Sequence, residues 1–467
     1  MLTEQERRKR RIRQNLLVFL ILYIAMSYYV IHAGAVFNNY DKFVNHIDNF
    51  DRDIVEHIKS VPFFMPNNEQ IRLWIFCSVF YWAVIAYILL NLNKKYMFGK
   101  EHGTARWAGK KDIEKTKDKD VSKNIILTNT EMISTDTRKT RKNLNVLVVG
   151  GAGTGKSRFV AKPNLLQANT SYVITDPKGE LLRDTGHSFI QAGYKLKIFN
   201  LIEMDYSSGY NPFAYIKNDN DILKAINILI KNTNPKGFTG GNDPFWEKSE
   251  TALLQAIFSY IWYEIVPEEQ NFSTVMQLLR YADVKEEDES YVSDLDIIFN
   301  ELKKEKPNKI ANKQNAIFKQ GAGKTAKSIL ISVGVRLAAF NMDTVANLTS
   351  KDELKLDKIG DEKTALFVVI PDSDTTFNFL AAMMYSQLFD SLYYTADFIN
   401  KGRLKYHVRC MLDEFANIGY IPDFENRIAT MRSREISCTI ILQNLAQLET
   451  MYKESWKTIV GNCDSFL

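Results

Sequence analysis

Leu144-Asn-Val-Leu-Val-Val-Gly-Gly-Ala-Gly-Thr-Gly-Lys-Ser157 is the stretch on which the fold turns. An apolar, β-branched run ends at Gly150 and passes directly into G-x-x-x-x-G-K-S, which reads as a buried strand feeding a phosphate-binding loop, the Walker A pattern. Gly150, Gly151, Gly153 and Gly155, with Ala152 and Thr154 between them, let backbone N–H groups turn inward around an anion with no Cβ in the way. In such a loop Lys156 reaches the β- and γ-phosphates of ATP, and the Ser157 hydroxyl ligates Mg²⁺. Arg158 to Ala161 is expected to begin a helix whose N-terminal dipole faces the phosphates. The competing reading is a glycine-rich turn that matches by chance, which explains neither the strand in front nor the Gly-Lys-Ser at the end.

Upstream of this loop lie two apolar stretches. Asn15 to Phe37 contains no Lys, Arg, Asp or Glu, and Ile71 to Leu92 contains only Arg72, at its edge. Each is long enough to cross a hydrocarbon core of about 30 Å. Arg7, Arg8, Lys9, Arg10, Arg11 and Arg13 precede the first, and Lys94, Lys95 and Lys100 follow the second. The positive-inside rule then predicts a cytoplasmic basic N-terminus (1–14), a span (15–37), an extracytoplasmic loop (38–70) and a returning span (71–92) in a bacterial cytoplasmic membrane. Two other readings compete: a signal peptide cleaved near Ala33-Gly34-Ala35, and a pair of buried core helices.

At 467 residues the chain has room for two to four domains. Its four cysteines, Cys77, Cys410, Cys438 and Cys463, show no C-x-x-C spacing, so neither a zinc site nor a disulfide framework is indicated. Residues 1–100 hold 13 Lys/Arg against 8 Asp/Glu, whereas residues 101–467 hold 47 of each, so net charge gives no support for nucleic-acid binding by the body.

Along the body, 93–140 reads as linker and domain start, including Gly103–Ala108 and a Lys/Asp/Glu-rich run from Lys110 to Lys123. A first part of the nucleotide-binding domain is expected over 141–220, with strands at Ser171–Asp176 and Lys195–Leu201. Asp176-Pro177-Lys178-Gly179-Glu180 ends the former at a strand's carboxyl end, where α/β sheets carry functional residues; an ordinary Asp-Pro turn is the alternative. Helical spacing with almost no strand signal predicts an all-α subdomain over 221–340. Within it Gly321–Thr325 imitates a phosphate loop, but Phe318 stands where glycine is needed, so it reads as a helix start. The α/β pattern resumes over 341–467, with strands at Thr364–Ile370, Val408–Leu412 and Glu435–Leu442 and a long amphipathic helix at Phe377–Phe398. The chain stops within a further expected strand, Gly461–Leu467, so the second part of the domain reads as truncated.

Nucleotide hydrolysis also needs a metal, a positioned water and compensation of developing charge. Asp413, at the end of a buried strand, fits the Mg²⁺ role through a hydration water, and Glu414 beside it fits the water-activating base. Gln443, at the end of the next strand, reaches a γ-phosphate if the strands are adjacent; a surface amide is the alternative. Arg432 or Arg434 could fork onto phosphate as a finger offered to a neighbouring subunit, or be part of a solvated basic turn.

In order, two N-terminal apolar spans, Gly103–Ala108 (GTARWA), Gly150–Ser157, Asp176–Glu180 (DPKGE), a helical insert, Asp413–Gly419 (DEFANIG) and Gln443–Leu448 (QNLAQL) resemble the TraG/TraD-like coupling proteins of conjugation and type IV secretion. The resemblance implies an FtsK/HerA-related, RecA-like P-loop ATPase core, α/β in class, with an inserted all-α subdomain that helps select substrate. It implies a hexameric ring on a two-helix transmembrane anchor, with an arginine acting in trans, placed on Arg434 by its spacing before the next strand. It also implies ATP-driven delivery of relaxase-bound single-stranded DNA, or of secreted proteins, to the components of a secretion channel. Two other functions stay open: an FtsK-like double-stranded DNA translocase, and a scaffold whose nucleotide site only gates assembly. A membrane-bound metalloprotease is disfavoured because no H-E-x-x-H occurs.

Overall fold

The structure is a computed structural model that describes residues 4–37, 49–92, 109–233, 244–285, 291–321 and 323–467. The Gly103–Ala108 motif, the basic flank at Lys94, Lys95 and Lys100 and the acidic run 286–289 lie outside the described residues. The chain divides into two compact units, 1–107 and 108–467.

In the first unit, helices run over Glu4–Phe37, Phe50–Ser60 and Asn68–Leu92. Two stretches, Leu17–Phe37 and Asn68–Ile88, are long and apolar enough to cross a membrane. Only 11% and 6% of these windows is buried, which is not how the core helices of a soluble domain are packed. The two long helices pack closely: a Cβ on Gly34 would lie 3.2 Å from Gln70 Cγ and 3.4 Å from Leu73 Cδ2. Tyr23 Oη donates to Ser78 Oγ at 3.0 Å, and Tyr81 Oη to the Phe19 carbonyl at 2.8 Å. Small residues at Ala33–Ala35 therefore have a packing reason, the close approach of two helices, besides their likeness to a cleavage site. The helix Phe50–Ser60, with Ile54 buried, was not foreseen within the loop.

The second unit is built on a parallel sheet. Its strands are β3 (Val146–Val149), β4 (Ser171–Pro177), β5 (Lys195–Asn200), β6 (Thr364–Ile370), β7 (Val408–Leu412), β8 (Ile436–Leu442) and β9 (Ser465–Phe466), in the order β5-β6-β4-β7-β8-β3-β9. A small antiparallel hairpin, β1 (Asn124–Ile126) and β2 (Met132–Ser134), precedes it and escaped the sequence reading. Both faces of the sheet are covered, which is why its strands are nearly continuous apolar runs. Val146, Val148, Tyr172, Ile174, Phe367, Met411 and Ile441 share one core with Leu165 and Phe189. Leu147, Val173, Leu366, Val368, Cys410, Leu412 and Ile440 share the other with the helical part. The cysteines are unpaired.

That helical part leaves the sheet after β5 and returns at β6. It comprises Asp219–Asn232, Pro244–Glu264, Phe272–Tyr281, Asp294–Glu305, Ile310–Lys319, Gly323–Arg336 and Asp343–Leu348. Phe272 and Phe340 stack at 3.8 Å in its centre. Gly323-Lys324-Thr325 opens a helix, as the sequence led us to expect.

Two local predictions need correction. The helix expected to be amphipathic over Phe377–Phe398 spans Asn378–Tyr394 and is buried on nearly every side. Its polar residues do not face water: Gln387 Nε2 donates to the Pro212 carbonyl and its Oε1 accepts from Tyr210 Oη, while Tyr385 Oη bonds Thr175 Oγ1. The helix expected from Arg158 begins instead as a wide π turn, Ser157–Ala161, before the α-turns of Lys162–Leu166. Pro163 has no N–H and crowds the preceding turn, and the widened turn accommodates it.

Candidate nucleotide-binding site

Strand order assembles the site. β8 lies between β3, which feeds the glycine loop, and β7, which ends in Asp413. Parallel strands place all their carboxyl ends on one edge, so Gly150, Asp413, Gln443 and Asp176 emerge together. Asp176, Asp413 and Gln443 border a cleft of 530 Å³, lined also by Ala152, Gly153, Gly155, Lys156, Ser157, Arg158, Lys178 and Glu414. That volume suits a small polar ligand.

The loop keeps its shape by using its own groups. Gly153 and Gly155 hold left-handed backbones, φ +76° and +83°. The backbone at Gly155 favours glycine, and a Cβ there would also push the exposed Phe159 ring, 2.5 Å away, out of its place. Thr154 Oγ1 donates to the Gly151 carbonyl at 2.9 Å. Lys156 Nζ donates to the carbonyls of Gly150 and Gly151 at 2.6 and 3.0 Å, which puts its charge inside the loop's concavity. The Arg158 guanidinium lies 5.7 Å from the Phe159 ring centre.

Ser157 Oγ donates to Asp413 Oδ2 at 2.6 Å, joining two residues 256 positions apart. Asp413 is buried, and burial raises its pKa; the Glu414 charge adds to this, while the Ser157 hydrogen bond and the Lys156 charge act against it. A hydroxyl and a carboxylate form a hard-oxygen pair that suits Mg²⁺. Among the described residues no group of three or more His, Cys, Asp or Glu gathers into a protein cage. Such a pair fits an ion that draws its other ligands from phosphates and water.

Glu414 has a left-handed backbone, φ +50°, and its carboxylate accepts from Gln443 Nε2 at 3.1 and 3.2 Å. Gln443 is therefore not an isolated surface amide. Its strand is adjacent to both β3 and β7, the condition on which its expected reach depended. Asp176 emerges beside Asp413, because Thr175 pairs with Leu412. Its carboxylate accepts the N–H groups of Leu181 and Leu182 at 3.0 and 2.8 Å, capping the helix Glu180–Gln191. Burial is the chief cause that pushes its pKa up to about 6.

Arg432 and Arg434 are not brought to this cleft. They precede β8, at the end of the strand opposite Gln443, about 20 Å away along its seven residues. The Arg434 guanidinium forks onto Asp397, with Nε to Oδ1 at 2.9 Å and Nη2 to Oδ2 at 2.8 Å, and lies 4.4 Å from the Tyr393 ring centre. Arg432 Nη2 donates to the Thr137 carbonyl at 3.4 Å. Sequence reasoning missed Asp372 and Gln447, which also line the cleft. Asp372 could have been found, since it lies two residues past the carboxyl end of β6, on the same edge of the sheet where Asp413 directly follows β7.

With the site's geometry in place, likeness to known proteins completes the assignment. The family described as "Type IV secretory system Conjugative DNA transfer" matches residues 106–464. "Conjugal transfer protein TraG" of Escherichia coli is 23% identical over 397 residues, covering 78% of this chain and 61% of that protein. The protein of the same name from Rhizobium radiobacter is 22% identical over 312 residues, covering 66% and 46%. This chain therefore spans only part of the length of these relatives. Among solved structures, plasmid coupling protein TrwB in complex with the ATP analogue ADPNP superposes with a TM-score of 0.55 at 18% identity, covering 77% of each chain. TrwB in complex with ADP and Mg²⁺ gives 0.53 at 16% identity, covering 77% and 76%. The likeness in fold agrees with an α/β core of parallel strands carrying a helical insert. The chain belongs to the type IV secretory system conjugative DNA transfer family.

Proposed function

We propose that this protein is a membrane-anchored ATPase that recruits DNA, as a relaxase-bound single strand, or protein substrates and helps move them into a type IV secretion channel. The observation that carries the reading is the Ser157–Asp413 hydrogen bond, which closes a Walker A loop onto a strand-end acid in a chain of this family. In this reading the loop binds the phosphates of ATP, with Lys156 as its cation, and Ser157 and Asp413 hold Mg²⁺. Mg²⁺ held there would offset charge on the phosphates. Glu414 accepts a proton from the attacking water, and Gln443 orients the Glu414 carboxylate. Two apolar helices fix the chain to the cytoplasmic membrane, with the ATPase body on the cytoplasmic side.

The test is co-purification from membranes of cells carrying the conjugative element. A relaxase with attached single-stranded DNA is the expected partner. Recovery of secreted proteins alone would shift the substrate to protein, and recovery of neither would remove the coupling function.

We further propose that the ring is a homohexamer and that Arg434 serves the site of a neighbouring subunit. Its place far from its own cleft, on an ion pair that is partly exposed, supports that reading. Mixing Arg434→Ala with Lys156→Ala subunits should then rebuild some competent sites, measured as ATP turnover above either parent. Mixtures as inactive as the parents would exclude this geometry.

A further inference from the structure

The DPKGE turn holds a cation that none of the roles above uses. The turn is rigid: Asp176 is fully buried and clamps Leu181 and Leu182 N–H, and the N–H of Lys178 meets the Ile370 carbonyl at 3.4 Å. Lys178 and Gly179 both have left-handed backbones, φ +73° and +72°. Glycine adopts that conformation freely, whereas lysine is disfavoured in it. Strained residues of this kind gather where a side chain must be aimed.

The Lys178 side chain lines the nucleotide cleft together with Lys156, Ser157, Asp413 and Glu414. Its ammonium rests on Asp372 Oδ2 at 2.9 Å, and both side chains are about half exposed. The hydrogen bond to Asp372 raises the lysine pKa, and the charges of Glu180 and Glu414 add to it. The cation is thus held on Asp372 in a cleft whose lining also includes Glu180 and Glu414, the latter the base assigned above. An exposed ion pair of this sort is weakly held. A phosphate oxygen offers the same ammonium a stronger, charge-assisted hydrogen bond and more negative charge.

We propose that Lys178 reads the γ-phosphate: its ammonium exchanges Asp372 for the terminal phosphate of a bound nucleoside triphosphate. Asp372 is the resting partner that the phosphate displaces. This rests on the nucleotide reading of the cleft and adds a residue that distinguishes triphosphate from diphosphate. No covalent step is involved.

The experiment is equilibrium binding of fluorescent ATP and ADP analogues, with Mg²⁺, to the detergent-solubilised full chain. Lys178→Ala should weaken the triphosphate roughly tenfold while diphosphate affinity stays within about twofold. Asp372→Asn should tighten the triphosphate selectively, and the double variant should behave as Lys178→Ala does. Lys178→Arg, which keeps the charge, should retain most of the preference, and the thermal unfolding midpoint of each variant identifies any failure to fold. Equal losses for both nucleotides in a folded Lys178→Ala protein would overturn the proposal, as would an Asp372→Asn variant with an unchanged preference. If the unmutated chain binds neither analogue, the nucleotide reading itself falls, a pattern distinct from a lost preference.

Discussion

A Lys156→Ala chain is expected to lose ATP turnover by a factor of at least about 10², the usual cost of removing one preorganised group from developing phosphate charge. In mating assays, transfer should fall to background. The physical reason lies in where the ammonium sits. Its donors are held on the Gly150 and Gly151 carbonyls, inside the loop, so it is already where the phosphates' charge would lie. Alanine keeps the loop's left-handed glycines and removes the ammonium with its two hydrogen bonds to the Gly150 and Gly151 carbonyls. The protein should therefore stay folded, with its thermal midpoint close to that of the unmutated chain. Transfer at the unmutated level would sink the motor function.

Glu414→Gln should separate binding from hydrolysis. The glutamine keeps the size of the side chain and its place beside Gln443 but cannot accept a proton from water. Mg²⁺-ATP affinity should stay within a few-fold, while turnover drops by about 10²–10⁴, the range for loss of a general base. Rapid filtration with labelled ATP would then find nucleotide that is retained and not converted. Unchanged turnover would remove Glu414 from the mechanism and leave it a left-handed turn residue that ends β7.

Most of the site was legible because its residues obey local rules. A strand running into glycines and Gly-Lys-Ser, and a strand ending in Asp-Glu, each announce themselves within a few positions. What sequence could not supply was the strand order, on which the roles of Asp413 and Gln443 depend. That order arises from crossover connections rather than from neighbours in the chain. The helix Asn378–Tyr394 departs from the amphipathic expectation because Ser386, Gln387 and Ser391 are buried in it; polar side chains inside a core have the same spacing as polar side chains in water. The hairpin β1–β2 escaped because three-residue strands carry too little alternation to stand out. Arg409 shows the same limit. In sequence it interrupts an apolar strand, yet its guanidinium is buried on neutral partners, Thr439 Oγ1 and Asn164 Oδ1, so it braces the sheet against the helix that follows the phosphate loop.

The turn that follows Asp413 and Glu414 leads to Gly419, φ +95°, whose absent side chain makes room for Asn232. Asn232 closes the first helix of the insert and spends both ends of its amide on Tyr420, donating to its carbonyl at 3.0 Å and accepting from its N–H at 2.7 Å. This works as a hinge pin. A shift of the acid-bearing loop would either break these two hydrogen bonds or carry the root of the helical insert with it.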